Sequence, residues 1–174
     1  VKLFRRRPAL PAESRPPLEA EERVVAWCPC EPEGVVVATN RGVWLPGAEQ
    51  RLGWHEIHKA AWSGRELRIT PAEVAEERDG YTVLVDGPEA TFLLLAPGEV
   101  PDQVRSRVTR SVAYTTHHAL ERGGVRVVGR RVSGQDGLSW AVRYDSGTPV
   151  DRSEVAAVTG ELVGAARNSV APPP

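Results

Sequence analysis

The residues in this chain best suited to chemistry are its two cysteines and four histidines. Cys28-Pro29-Cys30 and His55-x-x-His58 together offer ligands of the types that hold zinc. On extended chain Cys28 and Cys30 share a face, whereas His55 and His58 point to opposite faces unless a bulge intervenes. The C-x-C spacing also departs from the C-x2-C of a zinc knuckle, so the expectation is no metal and no cofactor, with half-buried or surface cysteines and ordinary strand histidines. Neighbouring thiols can form a strained, reducible bridge. Glu31 and Glu33, however, supply the wrong charge to activate a thiolate. His117-His118 falls near the end of a predicted helix, where the macrodipole favours a charged imidazole, and no Ser, Cys or Asp stands at a spacing that names a partner. Asp79, Asp86, Asp102, Asp136, Asp145 and Asp151 sit mostly in predicted turns or helix starts, where Asp satisfies backbone donors. The sequence contains no G-x-G-x-x-G, P-loop, G-x-S-x-G or H-E-x-x-H. These residues point away from an enzyme; a small enzyme or metal site built on Cys28, Cys30 and the histidines is the alternative.

A formal net charge of -1 over 174 residues gives no whole-chain reason to expect nucleic acid. Arg105, Arg107 and Arg110 read accordingly as a solvated helix face. Lys2, Arg5, Arg6 and Arg7 form a basic start that offers an alternative role, association with an anionic membrane surface, worth about 1 kcal/mol per charge. The residues after it lack the apolar h-region of a signal peptide, and no run approaches the roughly 18 apolar residues of a membrane span. Two cysteines are too few for a disulfide framework. The expected location is the cytoplasm. Arginine far outnumbers lysine, present only as Lys2 and Lys59, and Ala, Val, Gly and Pro abound, the composition of a GC-rich bacterial genome.

The elements that would position these residues begin after a Pro- and Arg-rich arm, residues 1–20, too polar to offset its ordering entropy by burial. Arg23–Trp27 reads as a first strand and Val35–Thr39 as a second. Asn40-Arg41-Gly42 is a turn of the kind that supplies positive φ, leading into Val43-Trp44-Leu45. In Leu52–Trp62 the apolar alternation slips once, as at a β-bulge. Ser63-Gly64 turns the chain into Arg65–Ile69, with Leu67 and Ile69 on one face. Thr70–Gly80 reads as a connection, and Tyr81–Val85 with Thr91–Leu95 as a hairpin across Asp86–Glu89. Val100, Val104, Val108 and Val112 give a helix over 101–120, ended by Gly123-Gly124. Val125–Val132 and Leu138–Tyr144 form another hairpin. A second helix, capped by Asp151 or Ser153, carries Val155, Val158, Leu162, Val163 and Ala166 as its buried stripe.

Glu22-Arg23-Val24-Val25, Val36-Val37-Ala38-Thr39-Asn40-Arg41-Gly42-Val43, Gly53-Trp54-His55-Glu56-Ile57 and Leu67-Arg68-Ile69 together resemble the bacterial PH-like and GRAM-like domains. In that family a T-N-R or T-D-R turn joins the second and third strands. The resemblance spans residues 20–121. It implies an α+β fold, a PH-like antiparallel β-barrel or sandwich of about seven strands capped by a long helix, followed here by a C-terminal ββα unit. The expected organisation is an arm over 1–20, a PH-like domain over 21–121, the ββα extension over 122–170 and a disordered tail over 171–174. The resemblance implies a non-catalytic scaffold or adaptor. The family's inositol-lipid site draws on a basic first loop, whereas the loop here is Cys30-Glu31-Pro32-Glu33-Gly34, whose carboxylates repel a phosphorylated headgroup. A protein partner, or a second copy of the chain, is therefore expected. The contact candidates are the exposed sheet edge with Trp44, Trp54, Arg41 and Arg51, as Trp and Arg are enriched at binding hot spots.

Overall fold

The computed structural model describes residues 8–171. Lys2, Arg5, Arg6 and Arg7 lie outside the described residues, as do 172–174 of the expected tail. After a single 3-10 turn at Ala12–Ser14, the chain lays down β1 (Val24–Glu31), β2 (Val35–Thr39), β3 (Gly42–Trp44) and β4 (Leu52–Gly53) as an antiparallel meander. A 3-10 turn at Trp54–Glu56 leads to β5 (Ile57–Trp62), then β6 (Glu66–Arg78), β7 (Tyr81–Asp86) and β8 (Ala90–Leu94). Helix α1 (Val100–Ser111) runs directly into β9 (Val112–Ala119), followed by β10 (Gly124–Arg131), β11 (Leu138–Tyr144) and α2 (Ser153–Val170).

These strands form one open sheet of 11 strands, in the order β4-β3-β2-β1-β8-β6-β7-β11-β10-β9, with β5 beside β6. Every pairing is antiparallel except β11 on β7, which is parallel and rests on Ala141↔Thr82 and Val142↔Val83. This corrects the expected fold class: the molecule is an open mixed sheet with two helices, of 12 and 18 residues, and not a closed barrel of about seven strands capped by a long helix.

Three local departures produce that difference. The expected helix over 101–120 stops at Ser111, because Tyr114, Thr115 and Thr116 favour extended backbone and β10 offers them a ladder over Gly124–Arg130. His117 and His118 therefore sit on a strand and not at a helix C-terminus. The segment read as a connection is the second half of β6, whose glutamates carry no apolar alternation to mark a strand; it pairs with β7 from Ala72↔Asp86 to Arg78↔Tyr81. Finally, β7 and β8 are not a hairpin with each other. Both pair with β6, β7 along Ala72–Arg78 and β8 along Glu66–Ile69, so Asp86–Glu89 is an interruption in one long arm and the reversal lies at Asp79-Gly80. Gly80, at φ +80°, supplies the left-handed conformation that reversal needs.

Two cores result. In the first, Ala26, Cys28, Cys30, Val36, Ala38, Val43, Trp54, Ile57, Leu67, Ile69 and Leu94 meet Val100, Val104 and Val108, the four-residue stripe of α1. In the second, Tyr81, Val83, Val125, Val127 and Val142 meet Val163 and Ala166 of α2. The stripe of α2 is rotated from the expected one: Val158 is exposed, and fully buried Thr159 faces inward, its hydroxyl 2.7 Å from that of Tyr144. At the β2–β3 turn Gly42 is required for space, since a Cβ there would meet the Leu52 carbonyl of β4 and the side chain of Arg51 just before it.

Ile69→Ala, at a fully buried β6 position, is expected to lower the unfolding free energy by about 2–5 kcal/mol in urea titration. Val74→Thr, on an exposed position of the same strand, is expected to stay within about 0.5 kcal/mol of the parent.

Candidate functional site

Of the four contact candidates from the sequence, Trp44 and Arg51 bond one buried carboxylate, Arg41 pairs with its neighbour Glu19, and Trp54 turns elsewhere. Glu22 has a fully buried side chain. It accepts hydrogen bonds from Thr39 Oγ1 at 2.7 Å, Trp44 Nε1 at 3.1 Å and Arg51 Nη1 at 2.6 Å. Arg51 also reaches Glu19 at 3.4 Å, and Arg41 pairs with Glu19 as well. Burial is the largest single influence on the Glu22 carboxyl and opposes its charge. The donors on Thr39, the Glu19 backbone and Trp44, joined by the Arg51 guanidinium, outweigh it and hold Glu22 below the usual carboxylate range. Trp54 is turned the other way, donating its Nε1–H to the Thr39 carbonyl at 3.2 Å. Trp44 and Trp54 are 7% and 4% exposed, which removes both indoles as surface anchors. Arg41, Arg51 and Trp44 instead clamp residues 19–22 onto the β2–β3 turn.

The proposed zinc ligands are also dispersed. Cys28 and Cys30 share a face of β1, as alternation requires, and that face is the first core, where both are free thiols. Burial, reinforced by the neighbouring Cys30, pushes the Cys28 thiol up to about 12, and burial raises Cys30 as well. No three of the cysteines, histidines and carboxylates among the described residues gather into a metal-holding group. His58 is the extra residue of a bulge in β5, between Ile57↔Pro71 and Lys59↔Thr70. Its side chain is 2% exposed, with Nδ1 2.7 Å from Asp86 Oδ1, an oxygen that also accepts from Arg143 Nη2 at 2.7 Å. With Nδ1–H donating to Asp86, Nε2 is left buried without a partner. Burial chiefly, with the Arg143 and Arg130 charges, lowers the His58 pKa despite Asp86. His55 is lowered for the same first reason, Arg130 and Arg51 adding to burial and Glu56 opposing it. Arg130 itself donates to Ser111 Oγ at 2.9 Å, at the end of α1. This polar seam fastens β5 and α1 to β7, β10 and β11. His117 pairs with Asp145 at 2.7 Å on the open face at β9; His118 is not in that pair.

The feature with the shape of a binding site lies elsewhere. β1 pairs with β8 only through Cys30↔Leu94 and Glu31↔Leu93, extended by the Leu95 N–H to the Pro29 carbonyl at 2.9 Å. Beyond that point the two strands diverge and leave a groove of about 630 Å3. Its walls include Val24, Trp27 and Pro29 of β1, Leu10 of the arm and Ala96 of the turn before α1, with Arg15 and Glu99 as charged lining. Alternation puts Ala26, Cys28 and Cys30 in the core, leaving Trp27 and Pro29 half-buried on the opposite face. Trp27 Nε1 donates to the Pro8 carbonyl at 3.1 Å, fastening the arm across one end. Ala96 has φ +134°, a region an L-residue occupies only under constraint. Sequence reading missed this site. The arm looked too polar to pack, and nothing local in Ala96-Pro97-Gly98 reveals where β8 parts from β1.

Compared with protein-family models, curated proteins and solved structures, the chain matches none.

The lowered His58 pKa has a definite sign. Its contribution to stability is fully present above its unfolded value of about 6.5 and is lost as pH falls through the lower folded value, because only the unfolded chain takes up that proton freely. Unfolding free energies measured from pH 7.5 down to 5 are expected to decline more steeply for the parent than for His58→Gln. Neither thiol is expected to react with a disulfide reagent until the chain unfolds.

Proposed function

We propose that this chain is a non-catalytic cytoplasmic binding module, a scaffold or adaptor whose groove between β1 and the turn before α1 receives an extended apolar segment of a partner protein. The observation that carries this reading is the groove itself. It is an apolar recess of about 630 Å3, held open where two strands of one sheet part company. Recesses lined by apolar and aromatic side chains with a few charged groups are the usual form of a ligand site. Extended peptides are suited to lie along a strand and place alternate side chains in such a recess. Arg15 would orient a peptide's polar groups.

Two further observations support the reading. The constrained backbone of Ala96 forms part of the groove wall, and strain of this kind, about 1–3 kcal/mol, concentrates at binding sites. Several groups suited to catalysis are otherwise engaged, since the thiols lie in the core and His58 and Glu22 hold elements of the fold together, and the exposed His117–Asp145 pair does not line the groove. The unbridged thiols support the cytoplasmic placement. Among the described residues no helix is long and apolar enough to cross a membrane.

Selection of displayed extended peptides on the full chain is expected to return sequences rich in Leu, Val and aromatic residues. Their binding should protect amides of residues 24–29 and 96–99 from exchange, and Val24→Arg should weaken it at least about tenfold, or 1.4 kcal/mol. Recovery of no binder, or of binders indifferent to Val24→Arg, removes the reading. Ala96→Gly is expected to raise thermal stability, by about 1 kcal/mol, by releasing the positive-φ constraint.

A further inference from the structure

An open sheet leaves strands with unpaired backbone, and proteins guard such edges with charges, prolines, bulges or brevity. Among the described residues, most edges here are guarded. β4 is two residues long. The free side of β5 carries Lys59 and the His58 bulge. The Ala72–Arg78 half of β6 carries Glu73, Glu76 and Glu77, with a bulge between Val74 and Glu76. β9 ends the sheet and differs from all of these. Its eight residues, Val-Ala-Tyr-Thr-Thr-His-His-Ala, include no proline, lysine, arginine or carboxylate. Its one irregularity falls at Ala113, opposite Gly129/Arg130, and leaves Tyr114–Ala119 regular.

The ladder fixes which atoms this edge presents. The Leu120 N–H donates to the Gly123 carbonyl at 3.1 Å, closing the β9–β10 turn. Counting back from that rung, Tyr114, Thr116 and His118 direct their backbone groups to β10, while Thr115, His117 and Ala119 direct theirs outward.

We propose that β9 pairs antiparallel with β9 of a second copy of this chain, about a two-fold axis through Thr116, so that the sheet continues from one protomer into the next. An isologous contact needs a surface complementary to itself. Because outward-facing residues must meet outward-facing residues, the axis has to pass through a residue and not between two. With the axis at Thr116, Thr115 lies opposite His117 of the copy, Tyr114 opposite His118 and Thr116 opposite itself. No like charges confront one another, and polar and aromatic side chains of the types that support cross-strand pairs do. An axis through His117 would instead set two His117–Asp145 pairs against their own copies. The residues of β9 carry no fixed charge, and the Asp145 carboxylate and Arg126 guanidinium beside the edge are already engaged with His117 and Thr115, which favours a second β9 over a charged foreign strand.

Light scattering behind size exclusion is expected to show a mass rising from one chain toward two with concentration. Thr115→Lys places a charge at an exposed, outward-facing rung and keeps every backbone bond to β10, giving up only the exposed bond its hydroxyl accepts from Arg126 Nη1 at 3.3 Å, and should raise the dissociation constant at least about tenfold. The axis position has its own test. A non-hydrogen-bonded antiparallel pair brings Cα atoms to about 4.5 Å, within disulfide range, so Thr116→Cys should link to its copy under mild oxidation, faster than Thr115→Cys. The parent chain, its two cysteines buried, should not link. A parent that stays monomeric at every soluble concentration overturns the proposal. So does a dimer unaffected by Thr115→Lys, a Thr116→Cys chain that fails to cross-link, or an edge that takes up only an unrelated strand.

Discussion

One long hairpin carries the architecture. β6 is a 13-residue strand, and β7 and β8 lie end to end along it in nearly constant register. Its first half contributes Leu67 and Ile69 to the core under α1. Its second half holds β7, whose Tyr81 and Val83 belong to the core under α2. Each core is small, and neither would offset the entropy of ordering its own strands by a wide margin. A continuous backbone ladder through both makes the two burials parts of one structure. The Gly87 N–H, donating to the Pro71 carbonyl at 2.8 Å, bridges the place where the arm breaks between β7 and β8.

Around that ladder the polar interior is arranged to avoid unpaired charge. Glu22 is acceptable in a buried position because indole, hydroxyl and guanidinium donors surround it, and removing any one would leave desolvated charge behind. The same logic explains why Asp86, more than half exposed, serves both His58 and Arg143: one well-hydrated carboxylate balances a guanidinium and orients an imidazole across a junction of three strands. The functional consequence is economy of surface. Trp44 and Trp54, the tryptophans near Arg41 and Arg51, are spent inside, and the groove beside β1 is formed by divergence of strands and not by an array of polar side chains.

Much of the first half was legible because its signals are local. The β2–β3 turn, the bulge in β5 and the Val100-Val104-Val108 stripe each announce themselves within a few residues. The bulge even falls on His58, the residue whose direction it decides. What failed did so for two physical reasons. Periodicity cannot say where a pattern is abandoned: Val112 continues the four-residue spacing of α1, yet Tyr114-Thr115-Thr116 gains more from pairing with β10. Turn chemistry cannot say which strands a turn joins: Asp86-Gly87-Pro88-Glu89 has the composition of a reversal and is a break in an otherwise straight arm. The tryptophans illustrate a third limit. Proximity to Arg41 and Arg51 in sequence is the same whether an indole caps a surface patch or donates to a buried carboxylate, and only the tertiary position of Glu22 distinguishes the two.

The parallel junction of β7 with β11, two residue pairs long, sets an order on synthesis. While the ribosome is still adding residues before Leu138, β6 and β7 have all the residues of their hairpin, but the apolar face of Tyr81 and Val83 has neither its neighbouring strand nor α2 above it. The nascent chain therefore carries a sticky half-face until β11 and α2, which end at Tyr144 and Val170, have been translated and have left the tunnel. Short loops between β9, β10 and β11 shorten that interval, since those strands can assemble on one another and arrive as a unit. Only two residue pairs need to come into register for that late-made piece to complete the sheet.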